Sequence, residues 1–273
     1  MTDTVRLHSD LWAGRGLIWS FAQRDLRSRF KGTVLGWLWS LVVPLATLLI
    51  YTIVFSVILN QRPPALGNGR EGNFTLYLFA GLAVWGVFSN AVNMGILSLI
   101  ATGPLLKKIY FPCYAPVLGG VIAVSVQSAI EFGVLILIML LLGNFSWTLL
   151  LVLPWAVLFA AFVAGVAHAV AVLNVYFRDL QHIVAVALQL LFYLTPIIYS
   201  VAILPQSWNG IPLRRLITLN PLAEYVEAFR LAVYELAPPT LGQWAAMTIW
   251  SVLAVSAAVL VHRRKGLDLS EEL

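Results

Sequence analysis

Arg24–Pro44, RDLRSRFKGTVLGWLWSLVVP, decides how the rest of the chain is read. It opens basic, with Arg24, Arg27, Arg29 and Lys31, then turns at Lys31-Gly32 into a run of Trp, Leu and Val that meets no charge until Arg62. About 20 apolar residues are enough to cross the hydrocarbon of a bilayer. A soluble helix followed by a core helix would not carry so long an uncharged stretch. The pattern is that of a segment lying among lipid headgroups and then entering the membrane. Trp37 and Trp39 fall just inside the turn, where an aromatic belt is expected.

Composition extends this reading to the whole chain. Of 273 residues, 60% are hydrophobic and 11% charged, and mean hydropathy is +0.89. Soluble domains carry about 25% charged residues, so there is too little polar surface here to cover a water-soluble globule. The expectation is one all-α polytopic membrane domain. The net charge of +5 is read as loop lysines and arginines setting topology, not as a nucleic-acid surface. The single cysteine, Cys113, has no partner for an intramolecular disulfide. The first sixteen residues show no compact apolar core with a cleavage site, so a cytoplasmic N-terminus is the default.

Uninterrupted stretches between charges predict an interface helix at 15–33 and six spans at 34–59, 74–96, 115–142, 147–173, 180–201 and 241–261. Gly103-Pro104 is expected to break the second span, and Gly143-Asn144 to make a tight hairpin. Residues 202–240 are too apolar for a solvated loop and too interrupted for a span. Asn220-Pro221 starts a helix there, Leu222, Tyr225, Val226, Phe229 and Val233 recur at helical spacing, and Pro238-Pro239 stops the run. Such a segment either re-enters the membrane, covered by protein or a water-filled cavity, or lies flat on the outer face. Six spans place both termini on one side. With the termini inside, twelve of the 17 lysines and arginines fall on inner segments and five (Arg62, Arg70, Arg214, Arg215, Arg230) on outer ones, the inside bias that cytoplasmic loops carry.

Chemistry is sparse. There is no G-x-x-x-x-G-K-[ST] phosphate loop, no G-x-G-x-x-G, no H-E-x-x-H and no C-x-x-C. His8, His168, His182 and His262 are scattered along the chain, so no metal site and no catalytic residue is expected. His168 reads as a hydrogen-bond partner for a neighbouring helix. Glu131 lies mid-span, where a carboxylate is costly and often functional; with no second acidic residue in a span, pairing with a polar neighbour is the reading preferred. Tyr51, Phe55, Trp85, Phe88, Phe192, Tyr193 and Tyr199 lie in spans and form a pool of aromatics for stacking on sugars, although packing and lipid contact use the same residues.

Four segments carry a resemblance. RDLRSRFKGTVLGWLWSLVVPL, LLKKIYFP and NVYFRDLQHIV, with LNPLAEYVEAFR before the last span, resemble in order and spacing the transmembrane subunits of ABC-2 type polysaccharide exporters. Those permeases move O-antigen, teichoic acid, capsule and cell-wall galactan glycans. The resemblance covers about Leu17 to Val261. It implies a type V exporter-like half-transporter of the inner (plasma) membrane, with both termini cytoplasmic. It implies a homodimer with a separate nucleotide-binding ATPase subunit on each half, the partner binding ATP and Mg. It implies that Leu105, Leu106, Lys107, Lys108 and Pro112 form a coupling element pressed into the ATPase, with Arg178 and Asp179 as a second contact. Arg24, Arg27, Arg29 and Lys31 then face lipid headgroups and the pyrophosphate of a polyprenyl-linked glycan; their other role is generic binding of anionic lipid, as topology alone is for Lys107 and Lys108. Asn220, Pro221, Glu224 and Arg230 belong to an outer gate. The other readings weighed are an ABC-2 permease for a small lipid or drug, and a membrane-embedded glycosyl or lipid transferase, against which Asp179 standing alone is the argument.

Overall fold

The computed structural model describes residues 14–32, 34–58, 64–106, 108, 111–207, 210, 212–266 and 269; Lys107 lies outside them, as does the Arg29 side chain. Helix α1 is Arg15–Phe30. After a short turn, Gly36–Leu38, α2 runs Trp39–Tyr51 and continues as a wider π-helical stretch to Ile58. Then come α3, Phe74–Leu106, and α4, Tyr114–Leu141. A 3-10 turn, Trp147–Leu151, leads into α5, Val152–Tyr176. Helix α6 is Leu180–Leu194, α7 is Leu213–Thr218, and α8 is Pro221–Arg230, prolonged by a π-turn to Glu235. Helix α9 is Leu241–Lys265. No strand occurs among the described residues. Five helices, beginning at Trp39, Phe74, Tyr114, Trp147 and Leu241, are long and apolar enough to cross a membrane.

Two boundaries differ from the sequence expectation. Helix α3 does not break at Gly103-Pro104 but runs on to Leu106. Pro104 sits in the last turn, where its missing N–H costs one hydrogen bond at an end that is closing anyway. The fifth span, expected to reach Val201, is helical only to Leu194. Thr195 is extended (φ −91°, ψ 134°), the conformation a following proline imposes, and Pro196 follows it. Fifteen residues make about 22 Å of helix, short of the roughly 30 Å of hydrocarbon.

The unwound chain after α6 has its carbonyls satisfied by Arg230 at the end of α8. The guanidinium donates to Pro196 O at 2.5 Å, Ile197 O at 2.6 Å and Tyr77 O at 3.1 Å, and lies 3.7 Å over the Tyr77 ring. Helix α8 is buried in protein and does not lie flat on a surface: Leu222, Tyr225, Val226, Phe229 and Arg230 are all at most 1% exposed. It begins as its residues dictate, with the Asn220 side chain accepting from Leu222 N–H (3.0 Å) and Pro221 at the first helical position. Trp155 Nε1 donates to Tyr225 O, while the Tyr225 hydroxyl bonds Ser251 Oγ at 2.7 Å. Thr240 and Gln243 then form a reciprocal cap that starts α9.

The bundle closes through small residues, as helix pairs in lipid do. A Cβ on Gly165 of α5 would stand 2.6 Å from the Ala254 backbone of α9. A Cβ on Gly119 of α4 would stand 2.6 Å from Phe21 Cβ, so α1 rests directly on the α4 backbone. Helix α2 and its π-helical extension are largely uncovered, with Val43, Leu45, Leu49, Ile50 and Val57 exposed.

Candidate coupling face and translocation path

One end of the bundle gathers three of the segments singled out in the sequence. Helix α1 buries Ile18 and Phe21 against Phe111, Tyr114 and Ala115, with the Phe21 and Phe111 rings 5.4 Å apart. Leu106 packs on the same cluster, while Leu105 is 40% exposed and Lys108 is exposed, its N–H donating to Leu105 O. Pro112 is half-buried. The loop from Leu105 to Pro112 is therefore rooted on α1 at both feet. The opposite face of α1 is polar: Ser20, Gln23, Arg24, Arg27 and Lys31 line an open groove of about 410 Å³. Arg24 pairs with Asp25 at 2.9 Å and lies 4.8 Å over the Phe21 ring.

The turn between α5 and α6 sits at this same end. Arg178 and Asp179 are exposed, and with Tyr176, Phe177, Leu180 and Ile183 they line an open cavity of about 740 Å³. The Tyr176 hydroxyl donates to Lys265 O at 2.6 Å, and the Lys265 ammonium lies 4.4 Å from the Tyr176 ring. The close of α9 is thus tied to the close of α5. Three residues far apart in sequence also converge here. Cys113 Sγ is 3.5 Å from His262 Nδ1, and His168 Nε2 is 3.2 Å from the same Nδ1. The histidines are scattered along the chain, but two of them meet in space, and His168 does bond a neighbouring helix. Burial pushes the Cys113 thiol up to about 11.

The aromatic pool divides. Tyr51, Phe55 and Phe74 stack in series at 5.8 and 5.3 Å. Trp85 touches Phe192 at 5.5 Å and Phe88 at 6.0 Å, and Phe88 stacks on Phe162 at 5.7 Å. Tyr193 is 64% exposed, and the Tyr199 hydroxyl donates to Tyr193 O. Sequence reasoning missed a larger aromatic core. Trp155 meets Phe229 at 4.8 Å, Phe132 meets Phe229 at 5.0 Å, and Tyr225 meets Phe159 and Phe162 at 5.0 and 5.2 Å. The helical spacing of Tyr225 and Phe229 was the available signal, because a stripe of that period needs an apolar counterface.

At the far end, Glu224 lines a cavity of about 390 Å³ with Arg214, Thr218, Glu227, Glu235 and Gln243. Asn220 and Pro221 form the start of α8, where Asn220 Nδ2 donates to Thr195 Oγ1 at 2.9 Å. Arg230 is wholly buried and turned away from that cavity onto backbone carbonyls, so it is no solvated outer charge. Glu131 is partly buried in α4 and has no ion-pair or hydrogen-bond partner among the described residues.

Comparison with known proteins agrees with this architecture. The family model for the ABC-2 type transporter matches residues 16–234. An O-antigen export system permease, RfbA of Myxococcus xanthus, is 30% identical over 275 residues, which is 98% of this chain and 100% of that one. An RfbA permease of Klebsiella pneumoniae is 29% identical over 76% of both chains. The polysialic acid transport protein KpsM of Escherichia coli is 28% identical over 77% of this chain and 78% of its own. With its membrane-length helices, its buried α8 and a match that runs from α1 into the turn after α8, this chain belongs to the ABC-2 type transporter family.

Proposed function

We propose that the chain is the transmembrane subunit of an ATP-driven exporter that carries a lipid-linked polysaccharide from the cytoplasm across the inner membrane. The observation that carries this is a similarity to an O-antigen export permease spanning 98% of this chain and all of that relative. The sequence has no phosphate loop, so the fuel is burned by a partner ATPase that binds ATP and Mg. Two copies of this chain pair, each with one ATPase subunit. The exposed Lys108 and the Arg178-Asp179 turn beside their open cavity form the docking face for that partner. The exposed side chains of Arg24, Arg27 and Lys31 on α1 draw the pyrophosphate of the cargo at headgroup level. Glycans of the O-antigen, teichoic acid or galactan type suit such a carrier.

Copurification tests this. The chain is expressed with a candidate ABC ATPase subunit from the same organism, and the complex should form, hydrolyse ATP and restore surface glycan to a deletion strain. The reading fails if the chain transports without an ATPase, or if deletion leaves surface glycan intact and changes only resistance to small amphiphiles.

A further inference from the structure

We propose that Cys113, His168 and His262 form a zinc-type metal site that ties α4, α5 and α9 together beside the coupling loop. Spacing along the chain points to no such site, because the three residues belong to separate helical segments. Cys113 is the residue just before α4, His168 lies in α5, and His262 lies in the last turn of α9. Their ligand atoms all fall within 4.8 Å of one another, and Cys113 and His168 are buried.

The spacing argues for a common centre. Zinc–nitrogen bonds of about 2.0–2.1 Å and a zinc–sulfur bond of about 2.3 Å place tetrahedral ligands about 3.3 Å (N to N) and about 3.6 Å (S to N) apart. The observed separations are 3.2 Å between the histidine nitrogens and 3.5 Å between the cysteine sulfur and His262 Nδ1. Bringing the third pair to the same spacing takes a side-chain rotation on the order of an ångström.

Proton counting argues the same way. Both short contacts use one atom, His262 Nδ1. A neutral imidazole nitrogen is either donor or acceptor, so a single well-formed hydrogen bond serves one contact and leaves the other unmatched. A cation at the centre takes a lone pair from all three atoms. The thiol proton leaves to solvent on binding, since a coordinating thiol is deprotonated outright. With Nε2 of His168 on the metal, its remaining proton sits on Nδ1, which is buried and has no partner among the described residues. A pocket of about 140 Å³, lined by Tyr114, Gly165, His168, Ala258 and His262 among others, adjoins the cluster. Its volume leaves space for a fourth ligand on the His262 side of the cluster. One thiolate and two imidazoles suit Zn²⁺ above the harder cations.

The test is a cobalt titration of the untagged full-length chain in nanodiscs, after chelator treatment and dialysis. One Co²⁺ per chain should bind with a thiolate-to-cobalt charge-transfer band and four-coordinate visible bands, and Zn²⁺ should displace them. Cys113→Ser should abolish the charge-transfer band, and Cys113→Ser or His168→Gln should weaken binding by at least about tenfold. If a variant fails to fold, the wild-type titration decides alone. No cobalt spectrum at excess metal overturns the proposal. So does a spectrum without the sulfur band, or one unchanged in Cys113→Ser.

Discussion

Arg230 shows what one buried side chain does to a backbone. The chain after α6 cannot stay helical through Pro196, and its carbonyls would be orphaned in an apolar setting, where unmet polar groups are costly. Two of those carbonyls, Pro196 O and Ile197 O, receive a donor from a single guanidinium, which also reaches Tyr77 O in α3. Arg230→Met should therefore destabilise the folded chain by about 3 kcal/mol or more, seen as a fall in the melting midpoint in detergent. Arg230→Lys should recover only part of this, because an ammonium lacks the planar fork that reaches separate acceptors. Glu131 is the contrast. It has no partner among the described residues, and Gln keeps its shape, so Glu131→Gln should leave glycan export within about twofold of wild type; loss of export by a normally assembled complex would make the carboxyl functional. Neither environment could be foreseen from the chain alone. Arg230 reads as one more outer positive charge, and a partner for Glu131 is a matter of which helix faces it. Likewise Cys113, His168 and His262 are legible as residue types, but their meeting depends on three helix ends arriving together.

The elements were more legible than their ends. Charge-free stretches predict α2, α3, α4, α5 and α9 because no other structure satisfies so many backbone groups in lipid. Asn220-Pro221 predicts the start of α8 through capping chemistry that is wholly local. The errors fall at prolines, where local rules meet position. Pro104 is tolerated because it lies in a final turn, and Pro196 ends a helix that apolar composition alone would have continued. The seating of α1 was not legible, since nothing in RDLRSRF says which helix it rests on. Gly119 provides the seat, and that gives a prediction at this scale. Gly119→Val places a side chain into Phe21 Cβ and the Ile18 carbonyl, at 2.6 and 2.9 Å from an ideal Cβ. Overpacking of this kind costs about 1–3 kcal/mol. The bundle should survive while α1 lifts from α4, so limited proteolysis near Arg24–Lys31 should quicken and export should fall. Unchanged proteolysis with normal export would mean that α1 does not depend on this contact.

At the scale of the whole molecule the question is how many times the chain crosses. Five helices are long enough alone, which by itself would put the termini on opposite faces. The packing says otherwise. Tyr114 lies in the cluster beneath α1 and also meets His262 near the end of α9, with ring centroids 6.1 Å apart. The described ends of the chain thus share one end of the bundle, and the sixth crossing proposed here is α6, extended by the unwound segment that Arg230 holds. At the other end, Asn68 N–H donates to Asn144 Oδ1 and Asn144 Nδ2 donates to Tyr234 O, which joins the hairpin after α4, the approach to α3 and the turn after α8. Single introduced cysteines can read this arrangement with a membrane-impermeant thiol reagent, the wild type with its buried Cys113 serving as the blank. A cysteine at Asn68 or Gly69 should label in intact spheroplasts. Cysteines at Arg178 and Arg264 should label only after permeabilisation, because both sit where the lysines and arginines concentrate and the positive side stays inside. If positions 178 and 264 label from opposite faces, α6 does not cross. The proposed coupling loop, the Arg178 turn and the end of α9 could then no longer all face one side of the membrane.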